Sequence, residues 1–465
     1  MMDAEIVIIG GGPAGMAAAL EAARRGISTV LIDENKSLGG RVLQSLEEPG
    51  NSIRREWAEE QVRKKLFQAF DGIRDRVRVL LGTTVWGIFD RTTVAFFSED
   101  GASASQGRVR ARKLILNTGA IDRVVPFPGW TLPGVFTAGG LNQLVKYQNV
   151  LPGKRFLLAG SGPLQLVLAN QLLQAGAKIA GVVEAGSYRD VLGNIYSLLS
   201  GGRLMTRGMK YFFNIRRHRV PVYSSHVIVE AKGGKEVEGA VIARVDRSWR
   251  PIEGTRKEIS ADVIALAYGL IPSTELARLC GCNQRFDNNS GYFEIEHDQN
   301  MATSVPGIFV AGDGATIKGY PAAIEEGRIA GLAACAQLGC IDPKEADRLT
   351  ESSQKKLARW KKFSAAMNSI SAPRPGIIQT ISDETVVCRC EEVTMGDLRA
   401  AVRSGATDIN HIKRKTRSGM GYCQGRFCGQ VINELIWGLS GDSRPREVFT
   451  ARVPVRPIPI EVLLR

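Results

Sequence analysis

"IVIIGGGPAGMAAAL", residues 6–20, sets three glycines between a run of branched apolar residues and an alanine-rich stretch. Residues 5–9 read as a buried strand. Residues 13–25 read as a helix opened by proline at its first position, where the missing N–H is one the helix could not use. Gly10 allows a tight turn, Gly12 lets backbone approach a pyrophosphate, and Gly15 permits close helix–strand contact. Pro13 and Ala14 begin the helix whose free N–H groups and dipole favour an anion. "GISTVLID" (26–33) is the second strand, and Asp33 at its end is placed to bond a ribose hydroxyl, with Glu34 next to it. A bare glycine pattern is a weak signal. With strand, helix and acid in register it reads as a nucleotide-binding βαβ unit.

The same pattern recurs at 152–186, "PGKRFLLAGSGPLQLVLANQLLQAGAKIAGVVEAG", as a second unit inserted into the first. The 465 residues therefore divide as follows. A discontinuous first domain spans 1–125 and 262–340, around an inserted second domain at 126–261. A polar helical linker follows at 341–376, ending in the proline-rich hinge "SAPRPG" (371–376). A compact module occupies 377–440, and 441–465 is a proline-rich stretch read as an extended arm. The fold class is α/β: two Rossmann-like units plus a small, mostly helical C-terminal module.

The formal net charge of +14 invites a nucleic-acid reading. Its basic clusters, "RRHR" (216–219), "KKLARWKK" (355–362) and "KRKTR" (413–417), lack interleaved aromatics for base stacking, which argues against that partner. A solvated surface, or a docking face for an acidic partner or a membrane, accounts for them. "MMDAE" runs straight into a strand, and no apolar stretch reaches a membrane span. Eight cysteines without a secretory signal point to a reducing compartment. The expectation is a cytoplasmic protein, compatible with peripheral attachment to the inner face of the membrane.

"TSVPGIFVAGDGA" (303–315) resembles the second FAD fingerprint of the glutathione-reductase-like, two-dinucleotide-domain flavoproteins. "LNTGA" (116–120) resembles their Thr-Gly turn, and "ALAYGLIPSTEL" (265–276) their return strand. The resemblance implies FAD in the first unit, with Asp313 holding the ribityl chain. The implied binding set is Gly10, Gly12, Pro13, Ala14, Gly15, Asp33, Glu34, Gly40, Arg41, Val85, Thr118, Gly119, Gly312, Asp313 and Ala323. In the second unit Gly160, Gly162 and Glu184 are in place, but Gln165 stands where the third glycine belongs. NAD(P), another adenine nucleotide such as ATP, and an empty site are all left open there. No cysteine pair follows "GGRVLQS" (39–45), so the redox disulfide of that superfamily is missing.

Cys388 and Cys390 ("VCRCEEVT"), with Cys423 and Cys428 ("GYCQGRFCG"), form a C-x-C…C-x4-C set. Four thiolates are the ligand set of a [2Fe–2S] cluster or of structural zinc. Beside a flavin, a one-electron carrier makes chemical sense and zinc does not. Lys413, Arg414, Lys415, Arg417 and Arg426 supply cations, and Gly419, Gly421, Gly425 and Gly429 expose N–H groups that suit an anionic cluster. The module resembles bacterioferritin-associated ferredoxin. Cys280, Cys282, Cys335 and Cys340 read as loop or core residues. The four histidines, His218, His226, His297 and His411, form no catalytic constellation.

Segments 127–166, 201–212 and 416–429 together resemble the α subunit of heteromeric, dye-linked amino-acid and opine dehydrogenases. That resemblance implies a partner β subunit of amine-oxidase-like fold with its own FAD, where the substrate C–N bond is oxidised. It also implies a small ferredoxin-like γ subunit in some complexes, an interface FMN in others, and a quinone or other acceptor. This chain would then carry electrons and hold no catalytic base. The alternative is a self-sufficient NAD(P)H-dependent acceptor reductase.

Overall fold

The strand Met2–Ile9 runs parallel to Thr29–Ile32 on one side and to the C-terminal half of Ser103–Leu116 on the other. Val77–Leu80 extends the sheet beyond Thr29–Ile32, and Ile308–Val310 adds to the far side of Leu114–Leu116. The last four residues of Met2–Ile9, Ile6–Ile9, are buried on both faces, as their uninterrupted apolar run requires in a parallel sheet. The N-terminal half of Ser103–Leu116 continues past this core and pairs antiparallel with Thr93–Asp100, which pairs in turn with Thr83–Phe89. The computed structural model describes residues 2–44, 59–100, 103–440 and 446–464.

One face of this sheet carries Pro13–Ala23 packed on Tyr320–Gln337. Two glycines set how near these helices come. A Cβ at Gly327 would lie 2.0 Å from the Ala14 carbonyl oxygen, and one at Gly331 2.8 Å from that of Ala18.

The inserted unit has a five-stranded parallel sheet in the order Val222–Ser224, Lys178–Glu184, Arg155–Gly160, Val263–Ala267, Val135–Thr137. An antiparallel meander, His226–Lys232, Gly239–Arg244 and Lys257–Ser260, covers it. The expected boundary at 261/262 is thereby corrected. Val263–Ala267 is buried along its whole length inside the second sheet, and the chain returns through Leu270–Pro272, paired with Ala120–Asp122. An apolar strand carries no mark of which sheet it will enter.

The segment expected as a linker is a helix, Pro343–Ser371, that packs along Tyr320–Gln337 and against Ile195–Leu199. Asp342 caps it, its side chain accepting from the Lys344 N–H at 2.9 Å. Its buried stripe includes Leu357, Ala366 and Ile370, so it is part of the scaffold.

In the C-terminal module, the hairpin Val386–Cys388 and Val393–Thr394 precedes helices Met395–Arg403, Ile409–Thr416 and Cys428–Ser440. Thr394 and Asp397 form a reciprocal capping box. Module residues such as Met395, Ile412 and Ile432 share one core with the meander of the second unit, and the Trp130 indole N–H donates to the Val386 carbonyl at 2.6 Å. The segment read as an arm crosses back: the Val455 N–H donates to Trp86 O at 2.9 Å, and Val462 packs with Trp86 and Phe97. Its last turn, Glu461–Leu464, is helical despite the prolines before it.

Gly327→Ala is expected to destabilise the protein by about 1–3 kcal/mol, because the new methyl meets backbone that cannot yield. A lower midpoint in chemical denaturation checks this, with Gly208, where a Cβ would meet nothing within 4 Å, changed to Ala as the control.

Candidate functional site

A cleft of about 310 Å³, open to solvent, runs along the C-terminal ends of the first sheet. Its walls include Gly10, Gly12, Pro13, Ala14, Asp33, Glu34, Gly40, Arg41, Val85, Thr118, Gly119, Gly312, Asp313 and Ala323. Gly15 is absent from the walls. A Cβ there would lie 1.9 Å from the Gly10 carbonyl oxygen, so its part is to let the helix meet the turn. Gly10 has φ +100°, and a Cβ on it would reach within 2.2 Å of Asn117 O.

The Asp33 carboxylate accepts from the Gly11 N–H at 2.5 Å and from the Asn35 backbone and side-chain N–H groups at 2.7 and 2.8 Å. Burial outweighs these bonds and raises its pKa. Asp313 accepts from the N–H groups of Lys318 and Gly319, both at 2.9 Å, and burial raises its pKa too. Beneath it Glu326, fully buried, accepts from Gly312 N–H at 2.8 Å and pairs with Lys318 at 2.7 Å. That pair holds the Gly312 turn from behind.

Asn117 lines the cleft with both side-chain polar atoms buried and unpartnered within the chain. A buried polar group is ordinarily satisfied, so this amide fits a bound polar ligand. Cleft, helix N-terminus, two acids and unpaired amide together suit a dinucleotide such as FAD.

The second turn is arranged differently. Gly160 has its backbone against Ala267, where a Cβ would lie 2.2 Å from the carbonyl oxygen. At Gly162 a Cβ would lie 2.0 Å from Oγ of Ser371, the last residue of the long helix, and Ser161 Oγ donates to Ser371 O at 2.5 Å. The chain itself therefore stands where a phosphate would approach. Gln165 is fully buried and donates to Glu184 at 2.7 Å, and Glu184 also accepts from the Gly162 and Gly186 N–H groups. Desolvation lifts the Glu184 carboxyl to about 8.

The module thiols lie in two neighbouring pairs, Cys388 with Cys428 and Cys390 with Cys423, and among the described residues no three of His, Cys, Asp or Glu are set around a single metal position. Cys388 also accepts from backbone N–H groups of Gly419, Cys390 and Glu391. Cys428 as donor pulls the Cys388 pKa down while its own rises. Cys388 and Cys428 are buried, Cys423 is half-buried and Cys390 is exposed. The glycines do more than expose N–H groups: Gly419 and Gly425, both at positive φ, lie against the Phe449 ring, which a Cβ would enter at 2.8 and 2.2 Å. Of the expected cations, Arg417 pairs with Glu391 at 3.1 Å and Lys415 donates to Ser404 O, while Arg426 turns away toward the cleft.

Residues 4–327 match the model of the pyridine nucleotide-disulphide oxidoreductases. The chain belongs to that family. Residues 386–437 match the BFD-like [2Fe-2S] binding domain, so this pyridine nucleotide-disulphide oxidoreductase combines an FAD-type domain with an iron–sulfur one. It is 35% identical to hydrogen cyanide synthase subunit HcnB of Pseudomonas aeruginosa, with 98% of both chains covered. To an opine oxidase subunit of Agrobacterium tumefaciens it is 32% identical, over 98% of this chain and 90% of that one. The fold matches that of L-proline dehydrogenase from P. horikoshii at a TM-score of 0.73, with 23% identity, covering 100% of this chain and 80% of that one. Unlike a disulphide reductase, this family member has no cysteine before Cys280. Cys280, Cys282 and Cys335 are buried in apolar clusters, and Cys340 is exposed. No described helix is long and apolar enough to cross a membrane.

Sequence reading missed Asn117, Ser371 and Phe449. It also missed Glu326, whose signal was available: a lone acid on the buried face of an apolar helix.

A Glu184 carboxyl near 8 against an ordinary 4.5 sets a pH dependence. Between those values the unfolded chain has lost the proton that the folded one keeps, so stability falls as pH rises through this window. Glu184→Gln is expected to flatten that fall, read from urea midpoints between pH 5 and pH 8.5.

Proposed function

We propose that this chain is the electron-carrying FAD/[2Fe–2S] subunit of a heteromeric dehydrogenase or oxidase that oxidises the C–N bond of an opine, D-hydroxyproline or similar amino acid. The observation that carries the reading is the placement of a two-cysteine loop of the four-thiol module on the wall of a dinucleotide cleft: Arg426, between Cys423 and Cys428, lines that cleft. The relatives, named as subunits of opine oxidase and hydrogen cyanide synthase, support it.

In this reading the turn from Gly10 to Ala14 receives the FAD pyrophosphate, Asp33 the adenosine ribose and Asp313 the ribityl chain. Gly12, Gly15, Glu34, Gly40, Arg41, Val85, Thr118, Gly119, Gly312 and Ala323 complete the cradle. Cys388, Cys390, Cys423 and Cys428 ligate the cluster. FAD supplies the ability to take an electron pair and release it singly. The residues hold the cofactors in place, and none is assigned to proton abstraction from substrate. That step belongs to an FAD-containing β subunit of amine-oxidase-like fold. A small ferredoxin-like γ subunit, an interface FMN and a quinone acceptor extend the same reading.

Ser371 seated against Gly162 weighs against NAD(P) or ATP at the second turn, and hence against a nicotinamide-driven reductase. Anaerobic NADH or NADPH is expected to leave the flavin yellow; rapid bleaching would overturn this reading. Cys388→Ser is expected to lose iron and its visible absorbance while retaining FAD, measured by iron analysis and cofactor extraction. The isolated chain is expected not to oxidise opines or amino acids with artificial acceptors, and to support turnover once recombined with its β subunit.

A further inference from the structure

Arg426 belongs by sequence to the loop of Cys423 and Cys428, yet its side chain leaves the module. The side chain is 8% exposed, and each nitrogen faces a different part of the protein. Nε lies 3.0 Å from Oε1 of Glu275 in the first unit, Nη2 donates to Val455 O in the arm at 2.7 Å, and Nη1 donates to Cys423 O at 3.2 Å.

The contacts continue inward. Glu275 accepts from Ser273 Oγ at 2.9 Å, and Ser273 O accepts from Thr118 Oγ1 at 2.5 Å. Arg426, Glu275, Ser273 and Thr118 all line the cleft. One continuous series of polar contacts therefore runs from the backbone of Cys423 to the Thr-Gly turn. Arg278 and Arg456 stand nearby, and Arg456 is 3.7 Å from Glu34. Three guanidinium groups, those of Arg278, Arg426 and Arg456, thus gather around Glu275 and Glu34 beside the cysteine loop.

We propose that Arg426 is the positioning residue that couples the two redox centres, an inference that rests on the FAD/[2Fe–2S] reading above. It has two separable effects. Its fork fixes the Cys423 loop against the cleft, which sets the distance an electron must cross. Its charge, held where solvent screens little, favours added negative charge on either side. One electron is lost by one centre and gained by the other, and no bond is made or broken.

Three variants of the holo chain separate these effects: Arg426→Gln, Arg426→Lys and Glu275→Gln. Each is analysed for FAD and iron content, for the cluster midpoint potential by EPR-monitored titration, and for the flavin–cluster transfer rate after flash photoreduction. Arg426→Gln is expected to shift the potential to more negative values and to slow transfer clearly below the wild-type rate. Arg426→Lys keeps the charge but not the three-way fork, so its potential stays near the wild-type value while transfer slows. Glu275→Gln leaves the cysteine loop untouched and is expected to slow transfer as well.

An Arg426→Gln protein with full FAD and iron, and with wild-type potential and rate, would overturn the coupling role. So would loss of iron from Arg426→Gln together with wild-type transfer in Glu275→Gln, because Arg426 would then serve the module's fold alone. Wild-type protein without flavin or without iron would instead sink the underlying cofactor reading, a different result from either.

Discussion

The first unit depends on backbone meeting backbone with no side chain between. Gly15 sits on the Gly10 carbonyl, Gly10 on that of Asn117, and Gly327 on that of Ala14. These contacts gather two strand ends and two helices around one point, so the free N–H groups of Pro13–Ala23 open into the cleft and not into protein. Glu326 and Lys318 then hold the Gly312 turn from below. A single methyl at any of the three glycines would push an element outward, and the cleft would lose its floor.

The second unit repeats the topology without repeating the open cleft. Its Gly162 is as bare as Gly12, but Ser371 stands against it, and Gln165 spans to Glu184 where a third glycine would have let the helix close in. A glycine-rich turn is space for something. In the first unit that space is a cleft, and in the second the protein's own helix end fills it.

The first unit was legible because its signals are local: a strand, a turn and a helix within 6–20, then an acid at Asp33. The cysteine spacing was equally local. What the sequence did not disclose was long-range. Nothing in "SAPRPG" announces that Ser371 will meet Gly162, more than two hundred residues earlier. Val263–Ala267 could have entered either sheet, since five buried apolar residues suit both. The polar helix read as a linker hides its buried stripe because Ser353, Thr350 and Ser364 occupy positions on it alongside Leu357 and Ile370. Arg426 was noted for its charge, but its reach to Glu275 depends on a fold that no spacing encodes.

The arm that crosses from Phe449 to Val462 has a consequence for traffic through the molecule. By gripping the module at Phe449 and the antiparallel strands at Trp86, it moors the iron–sulfur lobe at both ends, alongside the core shared with the second unit. A lobe so moored is no swinging carrier that commutes between donor and acceptor. At its surface Cys390 and Tyr422 meet solvent, on a body that is held in place.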